Sequence, residues 1–198
     1  ERGGGRDLSP PRAPKTMADT KLIGFGNPLL DISAVVEQDV LDKWGAKLND
    51  AILAEDKHKP MYAELAESHP VEYIAGGATQ NSIRVAQWVM GKPGSTAFVG
   101  CVGKDQFGDK LEQAARGDGV NAAYMKHPET PTGTCAVLVK GGERSLVANL
   151  SAANCYEISH YETAEIQELV TAANIVYCAG VSPSSPPPPS TNDGESLL

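Results

Sequence analysis

Two short polar clusters carry the residue types that a small hydroxylated ligand would need. The first is Gly24-Phe25-Gly26-Asn27-Pro28-Leu29-Leu30-Asp31, in which an amide and a carboxylate stand four residues apart across a turn. An ionised Asp offers two acceptor oxygens, which match two vicinal hydroxyls such as those of a ribose. The second is Gly76-Gly77-Ala78-Thr79-Gln80-Asn81, a glycine pair ahead of a helical pattern. There, backbone N–H groups at a helix start can approach a polar ligand. Each cluster alone has a plainer reading: a Gly-Gly pair before a helix is commonly only a turn, and Asp31 can be a solvated turn residue. Their joint occurrence in one alternating sequence points to a ligand.

Other binding chemistries are disfavoured. Gly24-Phe25-Gly26 opens like a dinucleotide fingerprint, but Leu29 takes the third glycine's place and Pro28-Leu29-Leu30-Asp31 does not open a helix. No Gly-x-x-x-x-Gly-Lys-[Ser/Thr] run occurs, which leaves no P-loop. Cys101, Cys135, Cys155 and Cys178 form no Cys-x-x-Cys pair and have no His at metal-ligand spacing. They are expected to be buried, reduced thiols, and no metal site is expected.

The whole chain sets the bounds. It has 198 residues, 17 Lys+Arg against 25 Asp+Glu, a net charge of -8 and 41% hydrophobic residues. That suits one globular domain or part of a larger one. No stretch reaches the roughly 18 to 20 consecutive apolar residues of a membrane helix, and the acidic balance leaves no excess cation for nucleic-acid phosphates. Of the 14 prolines, three fall in Glu1–Thr16 and five in Ser182–Leu198. Both ends are expected to be disordered, a leader over 1–16 and a Pro-rich tail over 182–198, because neither can bury enough apolar surface to offset its ordering entropy. Met17 is read as the natural start, and residues 17–181 as the part that folds.

Within that part the spacing of apolar residues predicts strands at Leu22–Phe25 and Ile32–Val36 and a helix over Gln38–Trp44. A second helix follows over Lys57–Glu67, capped by Asp56, and then a strand at Val71–Ala75. A helix over Thr79–Met90, a strand at Ala97–Val99, a loop over Gly100–Asp105, a helix over Phe107–Arg116 and a strand at Ala122–Met125 come next. Strands alternating with amphipathic helices argue for an α/β fold with a mostly parallel sheet. Thr134–Val139 and Arg144–Leu150 are separated only by Lys140-Gly141-Gly142-Glu143 and predict an antiparallel hairpin, a small β lid. Glu162–Ala172 reads as a helix and Ile175–Cys178 as a last core strand, left with an uncovered edge.

Several segments together resemble the adenosine kinases of the ribokinase-like family. They are Gly26 to Val36, Ala51 to His58, Val71 to Ile83, Pro131 to Cys135 and Glu143 to Tyr156, and the match covers nearly all of Leu22 to Gly180. The Gly76-Gly77-Ala78-Thr79-Gln80-Asn81 form and the Gly-Gly-Glu-Arg turn look most like plant or algal members. The resemblance implies a large α/β domain with a small lid, lid strands at about 29–53 and 132–151, and adenosine between the two. It implies that Asn27 and Asp31, with Gly76, Gly77 and Asn81, hold the ribose hydroxyls. Leu29, Leu53, Cys135, Leu146, Ala148 and Leu150 would line the nucleoside pocket, and Arg144 would meet the transferred phosphate. Alternation alone also makes Leu146, Ala148 and Leu150 one face of an ordinary hairpin, a cysteine such as Cys135 is more often packing than chemistry, and an arginine such as Arg144 by itself is more often a surface charge.

Two departures from the family pattern stand out. Ala78 occupies a position where many members carry Ser. The family also continues to an Asp-Thr-x-Gly-Ala-Gly-Asp segment, which supplies an anion hole and the base for the 5′-hydroxyl, and no such segment occurs in the 198 residues. The expected function is therefore that of a truncated adenosine kinase, transferring the γ-phosphoryl group of ATP to adenosine with Mg²⁺, with no catalytic base in this chain and no turnover alone. The rival reading is a non-catalytic nucleoside-binding or interaction fragment; another sugar kinase of the same superfamily is a third. The resemblance further implies a monomer in the cytoplasm, or in cytoplasm and nucleus, binding adenosine and ATP but neither nucleic acid nor membrane.

Overall fold

Short apolar runs interrupted by glycine form two sheets in this chain. The computed structural model describes residues 19–178; the expected leader and tail lie outside the described residues. The first sheet has four parallel strands in the order β6 (Asn121–His127), β5 (Thr96–Gly103), β1 (Leu22–Phe25) and β9 (Ile175–Cys178). β5 is central and buried along its whole length, which explains its unbroken small and apolar sequence. One face is covered by α3 (Ala78–Met90) and α4 (Gln106–Gly117), whose Ile83, Leu111 and Ala115 pack with Phe98, Val102, Ala122 and Tyr124. The other face is covered by α6 (Ala164–Ala172), through Ile166 and Leu169 against Ile23, Ala97, Val99 and Ala123. β9 lies at an edge of this sheet and exposes Ile175 and Tyr177.

The second sheet is mixed, in the order β3 (Ala51–Leu53), β8 (Glu143–Asn149), β7 (Thr134–Lys140), β2 (Leu29–Val35) and β4 (Val71–Gly76). The expected lid segments carry four of these strands, and β4 is a fifth from outside them. The β7–β8 hairpin forms as expected, with Lys140 opposite Glu143 and both Gly141 (φ 59°) and Gly142 (φ 87°) in the left-handed region. Two such residues give the turn a twist that matches the strands it joins. Helices α1 (Gln38–Trp44) and α2 (Lys59–Ser68) cover one face, where Leu41, Met61 and Leu65 meet Ala34, Ala136, Leu138 and Val147. The opposite face carries the candidate site.

Several expected elements are corrected. β2 begins at Leu29, directly after Pro28, so Asp31 lies within a strand. β5 runs on to Gly103 through the expected loop. α2 starts at Lys59 after a 3₁₀ turn over Asp56–His58, and Asp56 does not cap it. His58 Nδ1 instead accepts from the Glu55 N–H (2.9 Å), while Asp56 pairs with Lys59 (2.7 Å). The expected helix over Glu162–Ala172 begins only at Ala164 and is preceded by one turn, α5 (Ile158–Tyr161). All four cysteines are free, but only Cys101 and Cys135 are buried; Cys155 is half-buried and Cys178 exposed.

The glycines of the first cluster have a packing role. Gly24 and Gly26 share the face of β1 on which α3 lies. A Cβ at Gly24 would come 2.5 Å from Ile83 Cγ1, and one at Gly26 2.7 Å from Thr79 Cβ. Close helix-on-strand contact therefore accounts for Gly-x-Gly without any dinucleotide. Gly26→Ala must push the start of α3 off β1, and the expected loss of stability is about 1–3 kcal/mol. Urea denaturation of the variant beside the parent chain measures it.

Candidate nucleoside-binding site

Strand register builds the site. Ile74, Asp31, Cys135, Ala148 and Leu53 stand directly opposite one another in a row across β4, β2, β7, β8 and β3. Side chains alternate along a strand, so Leu29 and Asp31 share one face, while Leu30, Ile32 and Ala34 point to the other. Leu29, Cys135, Val137 and Ala153 are buried on the site face, with Val139, Leu146, Ala148 and Leu150 packed against them. The expected apolar lining is thus brought together except at its outer end, where Leu53 is 61% exposed. Arg144 is exposed and stands opposite Val139 near the hairpin tip, on the face of Leu146 and Ala148.

Polar groups converge where the chain passes between the sheets. β1 enters β2 through Asn27 and Pro28, and β4 enters α3 through Gly76 and Gly77. Gly76 abuts the Asp31 side chain so closely that a Cβ there would overlap the carboxylate. Gly77 has φ 97°, and a Cβ on it would overlap the carbonyl oxygen of Asn27. Both positions therefore demand glycine. Gly77 occupies the cap position of α3 with no side-chain cap, which leaves first-turn amides for a ligand. The Asn81 N–H donates to the Gly77 carbonyl (2.9 Å), and its side-chain oxygen accepts from Arg84 (3.3 Å). Asn81 is exposed, so it holds the turn and an arginine more than it closes the site.

Asp31 is the electrostatic centre. Among the described residues its half-buried carboxylate accepts no hydrogen bond. Burial pushes its pKa up to about 6, and the positive charge of Arg144 opposes that rise. The fold thus favours the neutral acid. Protein stability from this group falls as pH rises through the window between the ordinary aspartate range and about 6, and the ionised acceptor forms above it. Burial, reinforced by the Asp31 charge, also pushes the Cys135 thiol up to about 12, so an uncharged S–H faces the site.

Three contributors went unread in the sequence. Ile74 extends the row beside Asp31, Val137 fills the face between Cys135 and Val139, and Gly133 lies under Leu29, where a Cβ would come 2.7 Å from Leu29 Cδ2. Pro131 to Cys135 held the signal for Gly133, a glycine immediately before a β-branched strand start. The pairing of β4 with β2 had no local signal.

Comparison with known proteins places this geometry. Residues 39–195 match the pfkB family of carbohydrate kinases. The chain is 56% identical over 171 residues to Adenosine kinase 1 of Arabidopsis thaliana, covering 84% of this chain and 50% of that protein. It is 46% identical over 173 residues to the adenosine kinase of Dictyostelium discoideum, covering 85% and 51%. Among solved structures, Anopheles gambiae adenosine kinase in complex with a di(adenosine-5) tetraphosphate superposes with a TM-score of 0.77 at 52% identity. It covers 79% of this chain and 49% of that one. The chain spans about half the length of the curated relatives it matches. A ribokinase-like α/β fold, with glycine-walled polar groups and an apolar lid face, accompanies these likenesses, and the chain belongs to the pfkB family of carbohydrate kinases.

Proposed function

We propose that this chain is the nucleoside-holding part of an adenosine kinase, an enzyme of purine salvage that transfers the γ-phosphoryl group of Mg-ATP to the 5′-hydroxyl of adenosine to give AMP. The observation that carries the reading is Asp31: a half-buried carboxylate without a hydrogen-bond partner among the described residues, walled by Gly76 and set beside an apolar face. Its two oxygens would take the ribose hydroxyls, with Asn27 and the turn at Gly77 beside them. Leu29, Cys135, Leu146, Ala148 and Leu150 would enclose the base. Arg144, which forms no ion pair among the described residues, would balance charge on the transferred group. The relatives named above support this choice of nucleoside.

Among the described residues no cluster of three or more His, Cys, Asp or Glu could hold a metal ion, and magnesium enters this proposal with ATP as part of the substrate. No described helix is long and apolar enough to cross a membrane. A monomer in the cytoplasm, or in cytoplasm and nucleus, completes the proposal. The alternative is a nucleoside-binding fragment without turnover, favoured for the chain alone because no Asp-Thr-x-Gly-Ala-Gly-Asp segment occurs in its sequence.

Three outcomes are expected. Asp31→Ala weakens adenosine binding by about 2–4 kcal/mol and hardly alters the binding of 2′,3′-dideoxyadenosine, which has no hydroxyls to lose. Calorimetric titration of both ligands decides it, and equal losses would make Asp31 structural. Adenosine affinity rises between roughly pH 5 and 7 as the carboxylate ionises near 6, and Asp31→Asn flattens that profile. Incubated with labelled Mg-ATP and adenosine, the 198-residue chain gives no AMP above background, whereas a full-length relative does; AMP at a comparable rate, abolished by Arg144→Ala, would mean that the chain holds its own base and ATP site.

A further inference from the structure

The two sheets are fastened together at the first turn of α4. Asp105 caps that helix, its Oδ1 accepting from the N–H groups of Phe107 (3.0 Å) and Gly108 (2.8 Å). The same carboxylate reaches the segment that enters β7: Oδ2 accepts from the Thr132 N–H (2.7 Å) and Oδ1 from the Thr132 hydroxyl (2.7 Å). Thr132 is buried, and its Oγ1 accepts from the Gly103 N–H at the end of β5 (2.9 Å). The neighbouring Pro131 carbonyl accepts from the Ala152 N–H (3.0 Å) and the Ser151 hydroxyl (2.6 Å), which ties the chain leaving β8 to the same point.

The same helical turn also holds β4. Phe107 stacks on Tyr73 with ring centroids 6.0 Å apart, and Lys110 Nζ lies 4.5 Å from the Tyr73 ring centre. Space at the joint is filled. A Cβ on Gly103 would come 2.6 Å from the Thr132 nitrogen, and one on Gly108 3.0 Å from the Thr132 hydroxyl. The other crossing between the sheets, at Gly26–Pro28 and Gly76–Gly77, is walled by glycines and has its own side-chain tie, since Arg84 on α3 donates to the Ala75 carbonyl of β4 (2.7 Å) and to Asn81 Oδ1 (3.3 Å) and pairs with Asp118. The tie at Arg84 holds β4, whereas the joint at Asp105 holds the segment that enters β7, the strand of Cys135.

We propose that Asp105 is a positioning residue for the nucleoside site: through Thr132 it fixes the angle of the second sheet on the first and so places Leu29, Cys135 and Leu150 toward the ligand. Gly133, directly after Thr132, lies against Leu29 and the Leu150 carbonyl and transmits that placement. The functional half of this inference rests on the adenosine reading above; the mechanical half does not.

Asp105→Asn separates the two duties of the side chain. Asn can still present an oxygen to Phe107 and Gly108, which keeps the helix cap, but its amide group would face the Thr132 N–H donor to donor. In the full 198-residue chain the variant is expected to bind adenosine about tenfold more weakly, with a thermal transition lowered by a few degrees because the buried Thr132 N–H loses its acceptor. Ile166→Val, on the opposite face of the four-stranded sheet, serves as the control and leaves affinity unchanged. Hydrogen exchange at the amides of Thr132, Gly103 and Ala152 should quicken by about tenfold or more, while the His69 amide in the α2 cap is unmoved. Parent-like affinity in Asp105→Asn would overturn the positioning role. If the parent chain binds no adenosine, the reading of the ligand fails while exchange still judges the joint: faster exchange at those three amides supports it, and unchanged exchange overturns it.

Discussion

Where the chain passes from β4 into α3 it runs against the chain passing from β1 into β2, and the separation is set by side chains that are missing. Gly24 and Gly26 admit the start of α3 onto β1, Gly77 admits the Asn27 carbonyl, and Gly76 admits the Asp31 carboxylate. Overpacking even one of these contacts displaces its neighbour, which is a buried side chain, the half-buried Asp31 carboxylate or the main chain itself. The same approach that closes the core therefore delivers an amide, a carboxylate and an uncapped helix start to one place. Packing and binding are one constraint here.

A second consequence concerns the sheet that Asp31 belongs to. Its other face is sealed by α1 and α2 through Leu41, Met61 and Leu65, which fixes register, since a slip of one residue would turn Ala34 and Leu138 outward and Asp31 inward. With that face committed, Leu29, Cys135, Leu146, Ala148 and Leu150 have nowhere to go but the site side. They are buried or half-buried there, while Leu53 at the rim is open. A face of that kind suits a flat apolar ring whose sugar reaches Asp31.

Much of this was legible in the sequence. The β7–β8 hairpin followed from Gly141-Gly142 between alternating runs, and α3 and α4 followed from helical spacing, because these signals are local. The division into two sheets was less visible, since β2 and β4 look like ordinary members of an alternating series and only their partners, β7 and each other, separate them from β1 and β5. Pairing is a long-range fact that propensity does not encode. For the same reason the resemblance supplied the lid strands that patterning missed at Ala51–Leu53, where three residues gain a strand only by lying beside Leu146 to Ala148. The cap that Asp105 gives α4 is local and fits a residue ending a loop, whereas its bonds to Thr132 reach 27 residues along the chain and leave no local signal.

The charge at Asp31 is unfavourable in the folded chain, because burial outweighs the opposing field of Arg144. A half-buried carboxylate that accepts no hydrogen bond is stabilised by neutralisation or by donors that a ligand brings. Arg144 moderates the cost from the hairpin tip without quenching it, since it is exposed and its field is screened. An arginine placed in contact would have satisfied the carboxylate and left no free acceptor for the ribose proposed above. Distance is what keeps Asp31 without that partner, and it is set within the five-stranded sheet by the register of β2 against β7 and of β7 against β8.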